Sequence, residues 1–159
     1  MIIAVGDSIP NATLNVLKDG VQAISTKEIF DGRKVVLFSV PGAFTPTCSA
    51  KHLPGYVEKM DEFKKRGIDV ACVAVNDAFV MSAWAKSQNV PDDVMMLADG
   101  NGNFAKALGL EMDATPFGMG LRSKRFALYA ENGVVKKLQV EAPGEFKVSS
   151  AEAILAGIG

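Results

Sequence analysis

A chain of 159 residues with 48% apolar and 22% charged side chains can bury most of its extended surface, so a single domain over residues 1–159 is expected rather than a disordered segment. Its net charge of −1 offers no general field for nucleic acid or an anionic membrane, and no apolar run is long enough to span a bilayer. Two cysteines, Cys48 and Cys72, make no disulfide scaffold and lie too far apart for a CxxC pair, which points to a reducing compartment.

Residues 12–17, a Lys18-Asp19-Gly20 turn and residues 21–24 predict a β-hairpin. Ser25 followed by Glu28 has capping-box spacing and opens a short helix that Gly32 ends. Residues 35–40 have the length and β-branched composition of a strand buried on both faces. Beyond it, Leu53, Val57, Met60 and Phe63 form the apolar stripe of a helix whose Lys59, Asp61, Lys64 and Lys65 face water. A kink is expected at Pro54-Gly55 and an end at Gly67. Residues 68–75 form the next buried strand, and Asn76-Asp77 caps a helix carrying Val80, Ala83, Trp84 and Ser87. A strand at 94–98, a short helix at 103–108 and a strand at 124–130 follow. Glu131-Asn132-Gly133 turns the last of these into 134–140, and Ser149 with Glu152 caps a final helix from Ala151. Strands alternating with helices, then a hairpin and a terminal helix, predict an α/β sandwich containing both parallel and antiparallel pairs.

The stretch Pro41-Gly42-Ala43-Phe44-Thr45-Pro46-Thr47-Cys48 joins the first buried strand to the helix after it. Thr45-Pro46 is an N-cap followed by proline at the first helical position, where its missing N–H costs nothing. Cys48 is then the third helical residue, among backbone N–H groups without intrahelical partners and at the positive end of the helix dipole. Both suit an anionic sulfur, the nucleophilic form of a thiol. A free cysteine is more commonly a small buried hydrophobe. One of that kind belongs in the apolar run rather than between Thr47 and Ser49, so Cys48 is read as a nucleophile.

His52 lies four residues after Cys48, on the same face of an unkinked helix. A proteolytic Cys–His pair draws its histidine from elsewhere in a fold, and no His, Cys and carboxylate cluster has zinc spacing, so no metal is expected. Asp99-Gly100-Asn101-Gly102-Asn103 begins like a calcium loop, but Phe104 and Leu110 replace its required glycine and glutamate. Gly118-Met119-Gly120 follows no predicted strand and lacks a third glycine. Four arginines, Arg33, Arg66, Arg122 and Arg125, are available as a planar, permanently charged donor. Arg125 alternates with Ala127 and Tyr129 on one strand face; on the residues alone, Arg122 is nearly as good a candidate, and a surface ion pair is the commoner use of either.

Pro41, Thr45 and Cys48, within the longer string PGAFTPTCS, resemble the active-site pattern of the peroxiredoxins, in particular their type II (type five) branch. The resemblance continues in order through His52-Leu53-Pro54-Gly55, Val75-Asn76-Asp77-Ala78-Phe79-Val80, Leu97-Ala98-Asp99-Gly100 and Lys124-Arg125-Phe126. It implies a thioredoxin-like sandwich with a mixed central sheet and an added N-terminal β-hairpin. It also implies a thiol peroxidase that reduces hydrogen peroxide and organic hydroperoxides through a sulfenic acid on Cys48. Thr45, Arg125 and Pro41 would serve that step, and His52, Gly42 and Phe44 would line the site. The family binds no cofactor and draws on an external thiol, here glutathione with glutaredoxin, or thioredoxin; homodimers are common in it. Type II members from plants carry a resolving cysteine at the position of Cys72, whereas an animal branch carries one near the C-terminus, where this chain has Val148-Ser149-Ser150. The surroundings of Cys72 themselves predict an inert core cysteine, since a helix-start and a mid-strand residue rarely bring their Cα atoms within the ~7 Å a disulfide needs.

Two other classes compete with a peroxidase. One is a non-catalytic thioredoxin-like redox sensor or binding domain. The other, a thiol–disulfide oxidoreductase, is weakened by Thr45 standing where CxxC needs its first cysteine. Met1-Ile2-Ile3-Ala4-Val5-Gly6-Asp7 has no basic segment and too short an apolar run for a signal peptide, so a cytoplasmic protein is expected; a transit peptide already removed would leave no trace.

Overall fold

The computed structural model describes residues 2–158. Strands β1 (Thr13–Leu17) and β2 (Val21–Ser25) form the expected hairpin, with Asp19 and Gly20 at positive φ in its turn. Helix α1 (Thr26–Phe30) starts as its sequence predicts: the Ser25 hydroxyl accepts the Glu28 N–H at 3.2 Å. Three parallel strands follow, β3 (Lys34–Ser39), β4 (Asp69–Ala74) and β5 (Val94–Ala98). Antiparallel β8 (Phe126–Glu131) and β9 (Val134–Val140) complete a seven-stranded sheet of order β2-β1-β5-β4-β3-β8-β9.

Two-residue alternation along the central strands divides the core into two layers. Val36, Phe38, Cys72, Ala74, Ala127 and Tyr129 pack on one face. There they meet side chains of α2 (Leu53–Glu58), α3 (Met60–Lys65), α4 (Ala78–Ser87) and α6 (Ala151–Ile158). Val35, Leu37, Ala71, Val73, Leu128 and Ala130 pack on the other, with α1 and α5 (Asn103–Leu108). Asp77 caps α4 by accepting from Val80 N at 2.8 Å, and Asp99 receives the Phe104 and Ala105 N–H groups at the start of α5. No helix among the described residues is long and apolar enough to cross a membrane.

Three expectations are corrected. The helix after Cys48 is not one rod kinked at Pro54-Gly55. Its irregularity lies before the proline, as a wide turn over Cys48–His52 in which Leu53 N donates to Cys48 O, five residues back. Pro54 has no N–H to give Ala50, so the α-helical ladder cannot pass through that position. A second break falls at Lys59 (φ −96°, ψ 7°), between α2 and α3. The final helix is capped by Ser150, whose hydroxyl accepts Ala153 N at 3.1 Å, because Ser149 turns inward and donates to Glu141 instead. Residues 109–123, left unassigned by their sequence, hold a small ribbon of β6 (Glu111–Asp113) and β7 (Leu121–Ser123) around a single tight turn at Thr115–Phe117. Strands of three residues are too short to show a period. Lys124 lies outside β8 and donates its N–H to Leu110 O at 2.8 Å.

Candidate active site

β3 delivers the chain to the site. Val40 N still pairs with Val73 O at 3.1 Å, after which Pro41 takes the backbone off the sheet. The loop that follows is braced from several directions. Ala43 N donates to Asn76 Oδ1 at 2.9 Å, Arg122 Nη1 to Pro41 O at 3.3 Å, and Arg122 Nε to Met119 O at 3.0 Å. Gly42 is closely surrounded: a Cβ there would stand 2.9 Å from Arg122 Nη1 and 3.2 Å from both Met119 Cε and Thr45 Cγ2, so those side chains would have to shift. Phe44 adopts a left-handed φ of +64°, uncommon for a bulky residue, and is 55% exposed.

Helical backbone begins at Pro46, with Ser49 N donating to Thr45 O at 3.0 Å, so Cys48 is the third helical residue as expected. Thr45 does not use its hydroxyl as a cap. Its Oγ1 donates to Gly42 O at 2.7 Å, which commits the proton and leaves the lone pairs available. Ser49, next to the cysteine, accepts a 3.0 Å hydrogen bond from Trp84 Nε1 of α4.

The donor to the sulfur comes from across the sheet. Arg125, just before β8, directs Nη2 to Cys48 Sγ at 3.1 Å and Nη1 to His52 Nδ1 at 2.7 Å. Arginine only donates, so Nδ1 of His52 is an acceptor; its other nitrogen, Nε2, therefore carries the proton and donates to Ser149 O at 3.0 Å. Burial first, and the Arg125 charge second, push the histidine from 6.5 down to about 3, against smaller opposing effects of Ser149 and Glu141. The imidazole is neutral, which suits a side chain facing a guanidinium. The Phe146 ring covers both partners, 5.0 Å from the imidazole centroid and 5.9 Å from Arg125 Cζ, while Phe38 lies 5.0 Å away on the sheet side. Arg122 braces the proline loop, and Arg125 alone of the two is hydrogen-bonded to the sulfur.

Cys48 is fully buried, as is Cys72, which sits mid-strand in β4 between Phe38 and Met96; both are free thiols. Burial foremost, then the nearby Cys48, push the Cys72 thiol well up, with Arg125 opposing. Among the described residues no three His, Cys, Asp or Glu side chains gather where they could hold a metal ion.

Of the residues that the family resemblance assigned to the site, the structure joins Cys48, His52 and Arg125 by hydrogen bonds and places Pro41, Gly42 and Thr45 in the loop that leads to Cys48. The sequence reading missed Asn76, Ser149, Phe146 and Glu141. The signal for the last three was slight: an acidic residue at the end of a hairpin strand, then a Pro143-Gly144 turn and an aromatic.

A cysteine held by an arginine at the end of a proline loop, on a mixed α/β sheet, defines a protein that works through a reactive thiol. The Redoxin family profile matches residues 4–155. The chain is 54% identical over 160 residues to peroxiredoxin-2E-2, chloroplastic, of Oryza sativa subsp. japonica, covering 96% of this chain and 71% of that protein. The crystal structure of reduced Prx3 from Vibrio vulnificus in complex with H2O2 superposes with a TM-score of 0.95 at 55% identity, covering 99% of this chain and 100% of that one. Peroxiredoxin 5 from Alvinella pompejana superposes with a TM-score of 0.87 at 36% identity, covering 98% and 97%. The chain belongs to the Redoxin family. Within it, the chain is a peroxiredoxin of the type II class, a thiol-dependent peroxidase with a thioredoxin-like fold.

Proposed function

We propose that Cys48 is the peroxidatic nucleophile toward hydrogen peroxide and small organic hydroperoxides. The observation that carries this reading is the 3.1 Å hydrogen bond from Arg125 to a helix-start thiol. The thiolate attacks one peroxide oxygen; the S–O bond forms as the O–O bond breaks, and the departing oxygen takes a proton to leave as water or alcohol. Sulfur is oxidised to sulfenic acid, and the peroxide is reduced by two electrons. Arg125 places charge and directed N–H groups beside the reacting atoms, where charge moves from sulfur to the leaving oxygen. Thr45, its proton committed to Gly42, uses its lone pairs to accept the peroxide O–H and align the O–O bond. Pro41 gives the loop a fixed bend without an N–H and limits water at the sulfur. Gly42, Phe44 and His52 line the site. A fully buried sulfur suits peroxides with one unhindered oxygen.

A second thiol closes the cycle. Glutathione with glutaredoxin, or thioredoxin, reduces the sulfenic acid, and no bound cofactor takes part. We assign Cys72 to core packing rather than to resolution. Cys72→Ser then keeps glutathione- and glutaredoxin-linked turnover in a coupled assay, while losing about 1–3 kcal/mol of stability in denaturant titration through a buried, unpaired hydroxyl. An inactive Cys72→Ser, together with a near-stoichiometric Cys48–Cys72 disulfide by mass spectrometry after peroxide, overturns the assignment.

Residues 4–155 share one family profile and one seven-stranded sheet, which supports a single domain. A homodimer is proposed on the family resemblance, checked by sedimentation at micromolar concentration. Two free thiols suit a reducing compartment, and the cytoplasm is the one proposed; cell fractionation tests it. The whole reading is tested by peroxide consumption with the thioredoxin and glutaredoxin systems in parallel. Continuous turnover in either supports it, whereas one equivalent of peroxide per thiol in both marks the protein as a redox sensor.

A further inference from the structure

Glu141, the residue after β9, is 7% exposed, and its carboxylate gathers four donors. Lys147 N approaches both oxygens at 2.9 and 2.8 Å; Val148 N, Ser149 N and Ser149 Oγ reach Oε2 at 2.9, 2.8 and 2.6 Å. Its own N–H donates to Arg125 O at 2.9 Å. Burial works against the charge, and these donors outweigh it, holding the carboxyl below its usual range. So dense a set of contacts closes residues 141–149 into a strap. On its inner side the Ser149 carbonyl accepts from both His52 Nε2 at 3.0 Å and Tyr56 OH at 2.8 Å, and Phe146 lies over His52 and Arg125.

The contacts form a chain: Glu141 fixes Ser149, Ser149 fixes the imidazole, and the imidazole fixes one arm of the guanidinium whose other arm touches the sulfur. Without the Ser149 carbonyl, His52 has no acceptor to hold its proton on Nε2, and a proton on Nδ1 would oppose the Arg125 N–H directly. We propose that Glu141 is a positioning residue for peroxide reduction, setting the aim of Arg125 through Ser149 and His52. This rests on the reading of Arg125 as the donor to the reacting oxygens.

Two rates on the same sulfur test it: peroxide reduction, which uses the aim of Arg125, and alkylation by iodoacetamide, which needs only a reachable thiolate. Glu141→Gln is expected to lower the peroxide rate constant by about 10- to 100-fold, the scale of a misplaced reacting group, and the alkylation rate by less than about threefold. In a His52→Gln background the same substitution is expected to add less than about twofold. Equal losses in both rates, or full additivity with His52→Gln, overturn the proposal. Should Glu141→Gln not fold, Ser149→Ala removes one link and is read by the same ratio; an unchanged ratio there also overturns it. ¹⁵N NMR of the chain's single histidine gives an independent readout, since wild type is expected to hold the proton on Nε2 and Glu141→Gln to mix the tautomers. If Arg125→Lys leaves the ratio of the two rates unchanged, the underlying reading of Arg125 fails; if Arg125→Lys changes it and Glu141→Gln does not, only the strap's role fails.

Discussion

Arg125→Lys lowers the rate constant for peroxide reduction by about 100- to 1,000-fold while the protein stays folded; that is the cost of removing an oriented donor from a developing charge. The guanidinium bridges two acceptors at the two ends of the wide turn Cys48–His52, Cys48 Sγ at 3.1 Å and His52 Nδ1 at 2.7 Å. A lysine keeps the charge but presents a compact ammonium on a flexible stem, which cannot hold both contacts in a plane or lie flat beneath Phe146. The backbone at this position is held independently, through Glu141 N to Arg125 O, so the sheet survives the change. Stopped-flow peroxide kinetics with a parallel denaturant titration separate the two effects. Arg122→Lys is the control, because Arg122 braces Pro41 and Met119 and makes no contact with the sulfur among the described residues. A larger loss in Arg122→Lys than in Arg125→Lys would refute the assignment.

Acid has the second large effect, on stability. His52 titrates at 6.5 when unfolded and at about 3 when folded. Between those values the unfolded chain binds a proton that the folded one does not. Stability contributed by this group is therefore complete above pH 6.5 and lost as pH falls toward 3, at about 1.4 kcal/mol per pH unit. The chain has one histidine, and ordinary carboxyl groups titrate below this range, so the interval from pH 6.5 to 5 isolates His52. A fall of about 2 kcal/mol across that interval is expected in urea titrations. His52→Gln should abolish the slope there, and subtracting its profile removes carboxylates common to both proteins. Among these are Glu141, whose lowered carboxyl costs stability at still lower pH, and Asp99, whose burial-raised carboxyl acts in the opposite sense. A wild-type profile flat from pH 6.5 to 5 would show that His52 is not buried as a neutral group.

Much of this was legible in the chain because its signals are local. Residues 35–40 announce a buried strand by composition alone, and Thr45-Pro46 fixes the register that makes Cys48 the third helical residue. The donor to the sulfur could not be read because it depends on contacts across more than 70 residues of sequence. Arg122 and Arg125 look alike in sequence, but only the alternation of β8 and its pairing with β3 bring Arg125 over Cys48. Ser149 looked like a helix cap because it precedes Glu152 by three residues; its hydroxyl is drawn away by Glu141, a partner no local rule predicts. The wide turn at Cys48–His52 follows from Pro54, but the sequence placed the distortion at the proline rather than one turn upstream. Such a ring-closed residue perturbs the ladder behind it, where its missing N–H would have bonded.

The hydrogen bond between Trp84 and Ser49 gives the molecule an optical property. Trp84 is the chain's single tryptophan, fully buried, and its indole N–H ends on the hydroxyl adjacent to the reactive cysteine. An indole donor is sensitive to whether it has a partner and to what surrounds it. A rearrangement of the first turn on oxidation of Cys48 is expected to disturb this contact and with it the intrinsic emission. Stopped-flow fluorescence of the unlabelled protein on mixing with peroxide checks this, and an unchanged emission refutes it.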